Sequence, residues 1–259
     1  MPDNPAHGRG GKFPGGKFPG GGFPTTRWSA VDGARSADAA ERERSYAALV
    51  AAYWKPVYKH IRVRWHKGAE DAQDLTQEFF LRAMQKEFFA PYDPSRTRFR
   101  TFLRTCLEGF LANEEKAAHR LKRGGGVTLL PLAFETAEGE LAAADIPSPD
   151  SIDRYFDAEW ARSLFGLAVD ALRANCEASG RQAHFDIFER YDLGDPAGDR
   201  PTYEALGTRH GLSATQVTTH LAWARRELRR LLLEALRDIT ATDEEFRREA
   251  RVLLGFDPP

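Results

Sequence analysis

The chain has 259 residues, 42% of them hydrophobic, and its 37 basic and 38 acidic residues give a formal net charge of -1. This length suffices for one or two domains with a core, and the balanced charge gives the whole chain no electrostatic preference for nucleic acid. Cys106 and Cys176 lack metal-ligand spacing, and no apolar run approaches the roughly 20 residues of a membrane span. We therefore expect a cytoplasmic protein with no metal, no cofactor and no membrane partner.

The N-terminal segment is a short repeat. Residues 10–24 read GGKFP, GGKFP and GGGFP, and such frequent glycine and proline oppose both helix and sheet. The sequence therefore predicts a disordered tail over residues 1–26.

Helical periodicity begins after the tail and is punctuated by proline. Pro56 separates two predicted helices, or kinks one, and Pro91 and Pro94 predict a loop over 88–97. Leu75, Phe79 and Met84 are expected to face inward. The predicted helices span 39–54, 57–66, 70–86 and 99–122.

The second half is also helical. Acidic residues and three prolines predict a linker over 127–150, and helical patterns follow over 152–176 and 181–191. Thr242 and Glu245 form a capping-box pattern at the start of a last helix. The expected fold is all-α, with two helical domains joined by an acidic linker.

The segment 201–236 carries the strongest pattern in the chain. Thr202 can cap a helix over 203–210, Gly211 can end it in the left-handed region, and Ser213 with Gln216 forms a capping box for a second helix. Two helices around a tight turn are typical of a helix-turn-helix DNA reader. An ordinary helical hairpin with a solvated arginine face is the alternative.

The second helix of this pattern has two distinct faces. Val217, Leu221, Ala224, Leu228 and Leu231 repeat at three- and four-residue steps, which predicts a buried stripe. Short hydroxyls suit base edges in a major groove, whereas arginines suit phosphates. The residues predicted to lie away from the stripe are Thr215, Thr218, Thr219, Ala222, Arg225, Arg226 and Arg229.

Two further stretches complete a resemblance to a known family. DAQDLTQEFFL at 71–81 and FRTFLRTCLEGFLANEEKAAHRLKRGGG at 99–126 resemble region two of the extracytoplasmic-function sigma factors, and 201–236 resembles their region four. TTRWSAV, YWKPVY and the KRGGG ending are similar to one sub-group. The resemblance extends from Arg27 to Phe256.

The resemblance implies a domain plan and a set of partners. Region two would span 27–126 and region four 151–256, with the helix-turn-helix at 202–236. The implied function is that of a transcription initiation factor, not an enzyme, which binds core RNA polymerase through its clamp helices and flap region. Promoter DNA is the second partner, and an anti-sigma factor or a kinase is a conceivable regulator, with Thr76 or the tail as the modified site.

The resemblance also assigns roles to individual residues. Docking on the polymerase clamp helices is implied for Asp71, Asp74, Leu75, Gln77 and Glu78, for which a solvated acidic face is the alternative. Binding and melting of the minus-ten element is implied for Tyr92, Arg96, Arg98, Arg100, Arg104, Lys116, Arg120 and Lys122. Reading of the minus-thirty-five element is implied for Arg209, Thr215, Thr218, Thr219, Arg225, Arg226 and Arg229.

Two positions depart from the family pattern. Gly109 stands where the family usually carries asparagine, and His210 stands where it usually carries an apolar residue. Both departures bear on promoter specificity. Gly109 and the N-terminal tail leave open a sigma-like interaction protein without promoter activity, and a stand-alone helix-turn-helix regulator is a separate alternative.

Overall fold

A computed structural model describes residues 29–85, 88–118, 132–142, 152–194 and 198–255. These residues contain ten α-helices and no β-strand, which confirms the all-α prediction. The predicted tail, 1–26, lies outside them. The helices are α1 (Ala30–Gly33), α2 (Ala39–Arg64), α3 (Ala69–Gln85), α4 (Phe99–Ala118), α5 (Phe134–Ala142), α6 (Ile152–Ala178), α7 (Gln182–Asp192), α8 (Tyr203–His210), α9 (Ala214–Asp238) and α10 (Asp243–Leu254).

Helix α2 runs without interruption through Pro56, where the sequence predicts a break or a kink. Asp38 starts the helix, because its side chain accepts hydrogen bonds from the amides of Ala40 and Glu41. Pro56 is buried, and the flanking Tyr53 and Val57 lie in the core. Proline removes one helical hydrogen bond, and the burial of these neighbours offsets that loss.

Helix α6 is the centre of the molecule. It packs against α2 on one side and α9 on the other, and Phe156, Trp160, Leu164 and Leu172 are almost fully buried along it. Most of the buried hydrophobic side chains among the described residues form one cluster that includes both N-terminal and C-terminal helices.

The described part of the predicted linker, residues 132–142, contains helix α5, which is docked on α2. Phe134 packs against the ring of Tyr58, with centroids 5.0 Å apart. Glu138 accepts hydrogen bonds from Arg62 and from the Tyr58 hydroxyl at 2.6 and 2.7 Å. Two of the acids that define this segment in the sequence are therefore engaged by the protein itself, since Glu140 also pairs with Lys55 and Lys59.

The segment before α4 is a loop, as predicted, and it is fastened to the core. The Arg35 guanidinium donates to the carbonyl oxygens of Phe89 and Tyr92 at 2.6 and 2.8 Å. The rings of Phe89 and Tyr92 are buried against Phe99. The inward orientation predicted for Met84 is wrong: this side chain is exposed, because it lies off the stripe that buries Phe79, Phe80 and Ala83.

Candidate nucleic-acid interface

Helices α8 and α9 have the local geometry that the sequence predicts. The Thr202 side chain accepts a hydrogen bond from the amide of Ala205 at 3.1 Å, and Gly211 ends α8 with φ of 66°. Ser213 and Gln216 form a complete capping box at the start of α9. Both helix boundaries are therefore set by local side chain–backbone chemistry.

Gly207 permits the close approach of the turn to α8. A Cβ atom at this position would lie 2.4 Å from the carbonyl oxygen of Leu212. The amide of Leu212 donates to the carbonyl oxygen of Gly207 at 2.8 Å. Only glycine fits this contact without a shift of the backbone.

The two faces of α9 are confirmed. Val217, Leu221 and Ala224 are fully buried, and Leu231 is nearly so. The Thr218 and Thr219 hydroxyls donate to carbonyl oxygens one turn earlier, at 3.0 Å, which leaves their lone pairs free to accept. The predicted readers on the other face, and Arg209 at the end of α8, are exposed: Thr215, Thr218, Thr219, Arg225, Arg226 and Arg229.

Arg225, although exposed, is engaged by a carboxylate of α7. Its guanidinium makes two hydrogen bonds of 2.8 Å to the Asp192 carboxylate, and hydrogen bonding to Asp192 raises the pKa of Arg225. Arg200 binds the same carboxylate at 3.1 Å. Sequence reasoning missed Asp192, because nothing in the local pattern places the end of α7 beside the middle of α9.

A pair of histidines joins α7 to α9 behind this face. The rings of His184 and His220 stack with centroids 3.7 Å apart, and Trp223 packs edge-on against His184. Burial lowers the pKa of both imidazoles, and the charges of His220 and Arg181 lower that of His184 further. The stacked contact therefore favours the uncharged form of both imidazoles.

The residues predicted to dock on polymerase are only partly on the surface. Asp71 and Asp74 are exposed on the first half of α3, and Leu75 is half-buried against the core. Gln77 is buried, because it lies on the same side of α3 as Phe80. Its side-chain amide is therefore not accessible to polymerase in this conformation. Glu78 is half-buried and binds Arg82 at 2.5 Å. Thr76 is also fully buried, with its hydroxyl bonded to the carbonyl oxygen of Ala72, so it is closed to a kinase here.

The predicted minus-ten residues are divided between the surface and the interior. Arg96 and Lys116 are exposed, whereas Arg98 and Arg104 are partly covered. Tyr92 and Arg100 are both only 4% exposed, so neither can reach DNA in this conformation. Arg120 and Lys122 lie outside the described residues.

Acidic residues of the C-terminal half cover these arginines. Arg104 pairs with Asp153 of α6 at 3.1 Å, and Arg100 pairs with Asp157 of α6 and Glu249 of α10, each at 3.3 Å. Arg98 lies 3.6 Å from Glu249. Sequence reasoning identified Glu245 as a cap and did not identify Glu249. The sequence signal that could have identified them is their position next to Phe246 and Ala250, which places both carboxylates on the inward side of α10.

A cavity of about 500 Å³ lies beside Gly109, between α4, the end of α3 and the loop. A Cβ atom on Gly109 would meet nothing within 4 Å. The Arg82 guanidinium lies 5.3 Å from the centre of the Phe110 ring. The other lining residues are Phe88, Pro91, Cys106 and Asn113. The walls are thus mainly apolar, with one guanidinium and one amide.

Within the part of the chain that the structure describes, no group of three or more potential ligands is placed to hold a metal ion. No described helix combines the length and apolarity needed to cross a membrane. Comparison of the chain with protein-family models, with curated proteins and with solved structures finds no match in any of the three.

Proposed function

We propose that this protein is a DNA-binding transcription initiation factor of the extracytoplasmic-function sigma type, which brings core RNA polymerase to specific promoters. The observation that carries the proposal is the pair α8 and α9, in which a capped turn presents hydroxyls and arginines on one exposed face. The sequence resemblance of 71–81, 99–126 and 201–236 gives the rest of the role.

The chemistry of α9 suits a major groove. The early threonines have lone pairs that can accept hydrogen bonds from the exocyclic amines of adenine or cytosine. Arg226 and Arg229 follow two and three turns later, where a helix leaving the groove meets the phosphates. We therefore assign base reading to Thr215, Thr218 and Thr219, and phosphate binding to Arg209, Arg226 and Arg229.

The exposed acids of α3 suit a basic partner surface. Asp71 and Asp74 lie on solvent near the N-terminal end of α3, and carboxylates form strong, charge-assisted hydrogen bonds with arginine. We assign these two residues, with the exposed part of Leu75, to docking on core polymerase.

Run-off transcription tests the proposal. Core polymerase is mixed with the full chain and a library of promoter fragments, and the proposal expects discrete transcripts that the core alone does not make. The matched control is an Asp71→Ala, Asp74→Ala double variant, which should fold normally and lose these transcripts. A chain that gives no specific transcript from any fragment overturns the proposal.

A stand-alone helix-turn-helix regulator is the second candidate, and one observation favours it. Tyr92 and Arg100, which promoter melting would require, are buried, whereas the α9 face is open. This candidate predicts tight binding to duplex DNA without polymerase. A gel shift with and without core enzyme separates the two, because the initiation factor is expected to need the core for its specific shift.

A further inference from the structure

Helix α10 carries two buried carboxylates on the face that it turns to the protein. Glu245 and Glu249 lie one helical turn apart and are each 2% exposed, beside the buried Phe246 and Ala250. Buried carboxylates are costly unless they are paired and hydrogen-bonded. Their partners therefore decide what α10 does.

Glu245 binds the junction between the loop and α4. Its carboxylate accepts from the amide of Phe99 at 2.7 Å and from the Tyr92 hydroxyl at 3.0 Å. Phe99 is the first residue of α4, so Glu245 caps α4 from another helix, where an anion is favoured by the helix dipole. It also accepts from the amide of Ala241, which ties it to the start of α10.

Glu249 is held less well. Its oxygens lie 3.3 and 3.6 Å from Arg100 and Arg98, and neither oxygen makes a hydrogen bond with good geometry. The Nε of Arg100 is likewise buried without one. Burial raises the pKa of the Glu249 carboxyl, the direction expected when desolvation exceeds compensation. This ion pair is therefore buried but poorly satisfied.

We propose that α10 is a carboxylate latch, in which Glu245 and Glu249 occupy a phosphate-binding surface formed by Arg98, Arg100 and the start of α4, and that single-stranded nucleic acid displaces it. The proposal rests on the proposed function in one respect: it takes these arginines as the groups that hold a DNA strand.

Chemistry favours exchange at this surface. A phosphodiester offers two non-bridging oxygens, which share one negative charge and can bind a guanidinium in bidentate fashion, and it would replace contacts of 3.3 and 3.6 Å. Helix α10 follows α9 after the short connection 239–242, which would serve as the hinge when α10 leaves this surface. Arg100 would keep Asp157 and the face of Trp160, 4.6 Å from its guanidinium, while its α10 side opens.

Hydrogen–deuterium exchange on the full chain tests the latch, with a 12-residue oligodeoxythymidylate as the probe. Saturating oligonucleotide should speed amide exchange over 243–254 while protecting the start of α4. Glu249→Ala should speed exchange over 243–254 without the probe and tighten oligonucleotide binding about fivefold or more. Glu244→Ala, an exposed acid on the same helix, is the matched control and should change neither.

Two results overturn the latch: exchange over 243–254 that saturating oligonucleotide leaves unchanged, or Glu249→Ala binding the oligonucleotide no better than Glu244→Ala. The probe titration needs no variant, and Glu249→Gln replaces Glu249→Ala if the latter loses helicity. Failure of the proposed function is distinct, because it appears in run-off transcription. A chain whose α10 is displaced but which directs no transcript keeps the latch and loses that function.

Discussion

The arginines of two helices, α4 and α9, differ in their exposure to solvent. On α9, Arg226 and Arg229 are exposed next to exposed threonines. On α4, Arg100 is buried between Asp157 and Glu249, Arg98 lies near the same Glu249, and Arg104 pairs with Asp153. The same residue type is therefore exposed to solvent in one helix and part of a packed junction in the other. The difference lies in what packs against each helix.

The largest expected effect is on Arg100. Arg100→Ala removes the main partner of the buried Glu249 carboxylate and should lower the free energy of unfolding by about 3 kcal/mol or more. Arg226→Ala, the matched change on α9, should stay within about 0.5 kcal/mol because the residue is exposed. Urea denaturation of both variants measures this. Equal, small losses would mean that Arg100 is not sealed into the junction.

Next in size is the steric contact of the turn. Gly207→Ala places a Cβ 2.4 Å from the Leu212 carbonyl oxygen and should cost about 1–3 kcal/mol through forced backbone shifts. Gly109→Ala places its Cβ in open space on α4 and should stabilise by roughly 0.5–1 kcal/mol, since alanine is the better helix former. Thermal unfolding of the pair checks the prediction. If both variants raised Tm or both lowered it, the steric environment described for one of the two glycines would be wrong.

The division of labour on α9 predicts different binding changes. Arg226→Ala should weaken binding to all duplexes and flatten the logarithmic salt dependence by about one unit, because one phosphate contact is lost. Thr218→Val should instead alter sequence preference, by about 1–3 kcal/mol at one base pair. Competition binding at several salt concentrations reports both. If the two variants behave alike, base and phosphate contacts are wrongly assigned.

The smallest effect is the pH dependence that the histidine pair of α7 and α9 contributes, in addition to that of His60 on α2, whose pKa burial also lowers. Folding lowers the pKa of His184 and His220, whereas the unfolded imidazoles titrate near pH 6.5. Their contribution to stability is therefore complete above about pH 6.5 and is lost as the pH falls below it. His220→Phe keeps a stacked ring and should reduce the slope of Tm between pH 7 and 5. An unchanged slope would assign the acid sensitivity to other groups.

How far the sequence reaches differs between the two regions. In 201–236 each structural decision is local: Thr202, Gly211 and Ser213 set the boundaries, and the apolar repeat sets the buried face. In α4 the apolar periodicity is again local, but the exposure of Arg100 and Tyr92 is not. It depends on Glu245 and Glu249, about 150 residues away along the chain, and no short-range pattern encodes that distance.

The acidic segment 127–150 illustrates the same limit. Its composition predicts an acidic linker, but a helix forms within it because Phe134 packs against the ring of Tyr58 and Glu138 forms an ion pair with Arg62. Conversely, Pro56 predicts either a second helix or a kinked extension of the first, and the chain continues through it as the single helix α2. Composition indicates the conformation that a segment prefers in isolation. Tertiary contacts override this preference when the free energy gained by burying side chains exceeds the cost of the less favoured conformation.

Local patterns in the sequence predict the all-helical fold class, most helix boundaries of the described residues and the two faces of α9, because helix periodicity and capping act over a few residues. Which charged groups remain available to a partner depends instead on tertiary packing. In this structure Arg225 pairs with Asp192, α10 covers Arg100 at the start of α4, and Arg226 is exposed. Those outcomes follow from which carboxylates the packing of α6, α7 and α10 brings within 4 Å of a guanidinium.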